Sequence, residues 1–247
     1  MTVWTRVALG LLLAALVSVP TSGLGQELSL SLGEGPTLTG RTIQLILIIT
    51  VLSLAPGLLM MLTCFPFIVT VLAILRQAIG LQQSPPNMLL VSLALFLTYF
   101  VMEPVFTEAW LTGIEPLIED KIDAVEAIEQ ALVPFRGFMM ARVDPDTFAA
   151  IADLRTGTAQ SAEPDAISLS VLLPSFLLSE IARAFQIGFL VFLPFLIIDL
   201  VVAAILMSMG MMMVPPAIVS LPFKLAFFVI ADGWSLIAAA LVRGYTS

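Results

Sequence analysis

Histidine is absent from the 247 residues, and cysteine occurs once, at Cys64. The first absence removes the commonest general base, proton shuttle and metal ligand. The second leaves no disulfide possible within one chain. Charge is scarce as well: 11% of residues are ionised, and ten basic against eighteen acidic residues give a net charge of −8. Such a balance offers no basic footprint for nucleic acid. The sequence also lacks a phosphate-binding loop, a metal-ligand spacing and a nucleophile elbow. Neither enzyme chemistry nor a metal or cofactor is therefore expected.

What is present is apolar. Hydrophobic residues make up 60% of the chain and the mean hydropathy is +1.08, well beyond what a soluble domain needs to close one core. The expected fold is all-α, built of integral membrane helical hairpins. Residues 1–25 read as a secretory signal: Arg6, an apolar run over 7–19, then Pro20 and small residues to an expected cleavage after Gly25. The alternative is an uncleaved anchor helix, for which the run is short against the ~20 residues of a span.

Residues 26–41 form a short mature N-terminal segment, and 42–112 a first hydrophobic hairpin. No charge interrupts the 34 residues between Arg41 and Arg76. As one helix they would reach roughly 50 Å, against a hydrocarbon core of ~30 Å. Breaks are expected at Pro56–Gly57 and Pro66, since proline removes a backbone donor and clashes with the preceding turn. Pro85 and Pro86 close a polar turn, and a second span is expected from Met88 to Met102, running on toward Trp110.

Residues 113–166 are a different material, an acidic segment expected on the periplasmic side; residues 103–165 hold 13 of the 18 acidic residues and four basic ones. Ile114, Leu117, Ile118, Ile122, Val125, Ile128 and Leu132 recur near a spacing of 3.5, which predicts an amphipathic helix with a partner. Asp144-Pro145-Asp146 predicts a helix start, with Phe148, Ile151 and Leu154 on its apolar side, and 157–165 predict a loop. Residues 167–247 form a second hydrophobic hairpin with Pro215–Pro216 at its turn. Four spans follow, and if the signal is removed the Arg76 turn faces the cytoplasm, in accord with the positive-inside rule.

Glu180, Arg183, Asp199, Lys224, Asp232 and Arg243 lie in or near apolar stretches, where an unpaired charge costs on the order of 2.5–3.5 kcal/mol at a membrane centre. They are either ion pairs between helices or interfacial charges, or else a relay. Met207, Met209, Met211, Met212 and Met213 place five of the twelve methionines in seven residues. At about 100° per residue they would point all round a helix, so they are not one packing stripe. Such unbranched thioethers serve either as gap-filling core or as a surface that reshapes around a partner.

Phe185-Gln186-Ile187-Gly188-Phe189, then Leu193-Pro194-Phe195-Leu196-Ile197-Ile198-Asp199, the methionine run to Pro216, Leu221-Pro222-Phe223-Lys224 and Asp232-Gly233-Trp234 closely resemble the FliP/SctR family of type III export-gate subunits. The likeness covers most of the mature chain and is dense from Leu169 to Trp234. It implies a non-enzymatic subunit that assembles as a pentameric ring with FliR and FliQ, at the flagellar basal body in the bacterial inner membrane, through which unfolded export substrates pass. Met211, Met212 and Met213 match the family's methionine gasket. Glu180 and Lys224 match positions that pair between neighbouring subunits, and Phe138 and Phe148 match aromatic positions that help subunits associate. The stretch around Asp144–Pro145 departs from the family pattern. The family's hairpins are also largely lifted out of the membrane plane in the assembled gate, which the broken 34-residue segment suits. A virulence-type member of the same family and a small-solute channel are the rival readings. The channel would need polar or ionisable groups in both hairpins, and the first has no charge between Arg41 and Arg76.

Overall fold

The computed structural model describes residues 38–81, 84–154, 168–211 and 213–246. The expected signal, most of the N-terminal segment, the 157–165 loop and Met212 lie outside the described residues. The chain divides into two compact units, 1–49 and 50–247. All regular structure among the described residues is helical.

The first helix, α1 (Leu38–Met61), runs straight through Pro56, so the expected break there does not occur. The break expected at Pro66 falls just ahead of it, at residues 62–64, and α2 (Phe65–Ile79) starts with Pro66 in its first turn. A proline there loses nothing, because the first helical N–H groups have no intrahelical acceptor. Beyond the polar turn, α3 (Asn87–Ala109) continues into a π-helical turn, Trp110–Ile114, and the short α4 (Glu115–Ile118).

The continuous amphipathic helix expected over 114–132 is broken. Asp120 turns the chain with φ of 55°, and the Asp123 carboxylate accepts from the N–H groups of Val125 and Glu126 as the N-cap of α5 (Ala124–Met140). Restarting the helix rotates its inner face. Ala127, Pro134, Phe135 and Met139 are buried, while Ile118, Val125 and Ile128 are exposed. The helix start at Asp144 is as expected: its side chain caps α6 (Pro145–Asp153) through Thr147.

The second apolar region opens with α7 (Leu169–Ser208), 40 residues with Pro174 and Pro194 inside it. After a loop come α8 (Pro216–Ile230) and α9 (Gly233–Thr246), bent by 61° at Ala231–Asp232. Among the described residues three helices are long and apolar enough to cross a membrane, or four crossings if the bent α8–α9 pair is one.

The core of the second unit is organised on α2. Cys64, Phe67, Ile68, Val71, Leu72, Leu75, Ala78 and Ile79 are all buried, an i, i+3, i+4 stripe on one helix face. That stripe packs most extensively on α7, and α3 lies against it as well. Close approach of α2 and α7 depends on Gly188, where a Cβ would come within 2.4 Å of Ile74 Cδ1.

Candidate functional site: the methionine loop and its buried charges

The loop joining α7 to α8 is a built terminus. Met209 is the C-cap residue and Gly210 takes φ of 74°, a left-handed conformation that a Cβ would strain. The Gly210 N–H donates to Met207 O at 3.0 Å and the Met211 N–H to Leu206 O at 3.0 Å. This pair of bonds is a Schellman motif, which satisfies the last carbonyls of α7 and turns the chain away from the helix axis. Pro215 and Pro216 then fix the entry into α8, with Pro216 in its first turn. Of the described methionines here, Met213 is 97% exposed and Met209 67%. Beneath them the α7–α8 hairpin forms a groove of about 520 Å³ with apolar walls, among them Val202, Leu206, Met209, Met211 and Phe223.

Two turns below the loop, the hairpin legs are clasped by charge. Lys224 Nζ on α8 lies 2.6 Å from Asp199 Oδ2 on α7 and donates to Ala78 O, near the end of α2, at 3.1 Å. The Ser220 hydroxyl donates to Asp199 Oδ1 at 2.5 Å. Lys224 is buried, so its ammonium has exchanged water for a carboxylate and a carbonyl, which is the condition for keeping a buried charge.

Glu180 belongs to a second network, where α7 meets the acidic segment. Its carboxylate is 1% exposed. Oε1 accepts from Arg142 Nε at 3.3 Å, with Arg183 Nη1 at 3.9 Å, and Oε2 accepts from the Tyr245 hydroxyl. Arg142 also donates to Gly244 O at 3.0 Å and lies 3.7 Å above the Tyr245 ring. The expected partners Glu180 and Lys224 are thus each held by other residues of their own chain. Phe138 lies between Phe176 and Tyr245, and Phe148 is half-buried against the core. Arg142, Ser220 and Tyr245 carry no motif and were not expected at a site.

The residues of the sequence motifs have structural duties here. Gly188 admits Ile74, while Asp199 and Lys224 clasp the hairpin. Gly233 leaves room for Phe228, whose ring a Cβ would meet at 2.2 Å, and Trp234 packs edge-on against that same ring at 5.3 Å.

Long apolar helices, buried interhelical ion pairs and an exposed methionine loop define a polytopic helical membrane protein whose distinguishing surface is apolar rather than reactive. The sequence profile described as the FliP family matches residues 48–241, and the chain belongs to that family. Its relatives include a flagellar biosynthetic protein FliP of Caulobacter vibrioides, 49% identical over 97% of this chain and 91% of the relative. One of Rhizobium meliloti is 48% identical over 80% and 81%. One of Bacillus subtilis is 44% identical over 85% and 95%.

Proposed function

We propose that this chain is a core subunit of the flagellar type III protein export gate. Family membership makes it a flagellar biosynthesis component rather than an enzyme, and its apolar helices place it in a membrane. In the finer reading, five copies ring a channel in the bacterial inner membrane, together with FliR and FliQ, and the acidic segment lies on the periplasmic side. Unfolded flagellar proteins cross through that channel.

The observation that carries this reading is the methionine loop. Each methionine side chain stabilises by roughly 1.5–3 kcal/mol when it leaves water, yet this loop holds Met209, Met211 and Met213 outward. A backbone fixed at both ends makes that exposure a built feature. Copies brought together around an axis would pool these side chains into an apolar constriction that excludes water and ions when empty. Thioethers are unbranched and soft, so the same constriction yields to a passing chain of any sequence. Glu180 and Lys224 of neighbouring copies pair in this reading, which means that assembly exchanges the intrachain partners Arg142, Tyr245 and Asp199 for intersubunit ones.

The test is ion and small-solute leakage through the gate carrying Met211→Ala, Met212→Ala and Met213→Ala together. Leakage should rise above that of the unaltered gate at equal abundance. Unchanged permeability would remove the gasket from the proposal.

A further inference from the structure

Between Arg41 and Glu103 the chain carries one ionised side chain, Arg76, and it sits at the end of a groove. While the core stripe of α2 packs inward, the adjoining face of that helix leaves Val69, Ala73 and Ile74 along a surface cleft of about 830 Å³, shared with Phe185 of α7. Phe185 is 61% exposed, and Ala73 is exposed as well. These four residues make the wall apolar, whereas Arg76 and Gln77 make one end polar. From Val69 to Arg76 the wall runs about 10 Å along the helix axis.

Arg76 is half-buried, and its acceptors among the described residues are neutral: Nη1 donates to Pro85 O at 3.4 Å and to Asn87 Oδ1. Lys224, Arg142 and Arg183 by contrast meet carboxylates. A guanidinium has five N–H donors, so these two bonds leave its charge uncompensated and leave donors for bidentate contact with a phosphate. The first turn of α8 borders the same groove at Ala217, and the positive end of that helix offsets the negative end of α2. We propose that the groove holds one anionic phospholipid, its phosphate on Arg76 and Gln77 and an acyl chain along Val69, Ala73, Ile74 and Phe185. A free phosphate would leave the apolar wall in water, and a zwitterionic lipid would leave the cation without a net opposite charge. A lipid of net negative charge satisfies both ends, and basic pockets between membrane helices take such headgroups. The site requires only a membrane around the chain, so it stands or falls apart from the ring.

Native mass spectrometry of the full chain in neutral detergent, titrated with dioleoyl phosphatidylglycerol, dioleoyl phosphatidylcholine or glycerol phosphate, counts what stays bound. Circular dichroism confirms that each variant is folded at the working temperature. The unaltered chain should hold its first phosphatidylglycerol about tenfold more tightly than phosphatidylcholine, the scale of one hydrogen bond to a charged group, and should retain no glycerol phosphate. Arg76→Gln should weaken phosphatidylglycerol by the same factor and leave phosphatidylcholine unchanged. Ala73→Phe, which fills the apolar cleft and spares Arg76, should weaken both lipids. Equal retention of the two lipids by the unaltered chain overturns the proposal, as does phosphatidylglycerol binding to Arg76→Gln within twofold of the unaltered protein. Glycerol phosphate held as tightly as the lipid also overturns it, because the acyl wall then contributes nothing. If Arg76→Gln does not fold, Ala73→Phe decides, and undiminished phosphatidylglycerol binding by that variant overturns the site.

Discussion

Lys224 carries its charge in a buried position, and its stability there rests on Asp199 and the Ala78 carbonyl. Removing one partner of such a pair is worse than removing both, because it strands the other charge out of water. Asp199→Leu should therefore destabilise the folded chain by about 3–5 kcal/mol. Adding Lys224→Met should recover most of that loss, as an apolar pair replaces the ionic one. Chemical denaturation in detergent measures both; losses that simply add would mean that the two side chains do not act as a pair. Asp199 and Lys224 stood out in the sequence as charges within apolar runs. Ser220 and Tyr245 did not, because a hydroxyl in an apolar helix carries no signal until its acceptor is known. At the surface, bonds from Thr147 hold the Asp144 carboxyl below its ordinary value of 3.8. A carboxylate favoured in the folded state stabilises above its unfolded pKa, and that contribution fades as pH falls through the lowered one. Proteolytic sensitivity of α6 should accordingly rise on acidification below about pH 4, and Asp144→Asn should flatten that rise.

At the level of elements, close helix packing turns on glycines, and two of them differ in what a Cβ would meet. A Cβ at Gly188 would meet Ile74 Cδ1 at 2.4 Å, whereas one at Gly113 would meet the Ala127 carbonyl oxygen at 2.6 Å. A side-chain tip can rotate aside more readily than backbone can move. Gly113→Ala should thus cost more than Gly188→Ala, both within the roughly 1–3 kcal/mol typical of overpacking. Equal thermal shifts for the two variants would contradict this difference. The turns at Asp144 and Pro215–Pro216 were legible in the sequence, because capping side chains and prolines act locally. The inner face of α5 was not. The apolar spacing from Ile114 to Leu132 fits one helix, and nothing in that spacing reveals that the turn at Asp120 and the cap at Asp123 restart the helix with another face inward. Pro56 misled for a related reason: proline weakens a helix by an amount that surrounding structure can offset, so it marks a possible break without fixing one.

At the scale of the whole molecule, α7 sets the problem that membrane and partners must share. Forty residues at 1.5 Å each give a rod of about 60 Å, twice the ~30 Å of hydrocarbon that a bilayer supplies. Its exposed apolar residues nevertheless run almost end to end, from Leu178 and Ile181 through Phe185, Phe189 and Ile197 to Met207. A bilayer can cover about 20 residues of such a helix, so the remainder either contacts water or is covered by protein. Single cysteines along α7 resolve the two cases, since the native Cys64 is fully buried and should react slowly with a water-soluble maleimide. In membranes holding this chain alone, protection should cover a continuous stretch of about 20 residues, with positions outside it labelled. Co-expression with the proposed partners FliR and FliQ should extend protection along the helix, because like apolar surfaces then cover what lipid cannot reach. A protected stretch of the same length in both membranes would mean that assembly does not bury α7, which would count against the proposed ring.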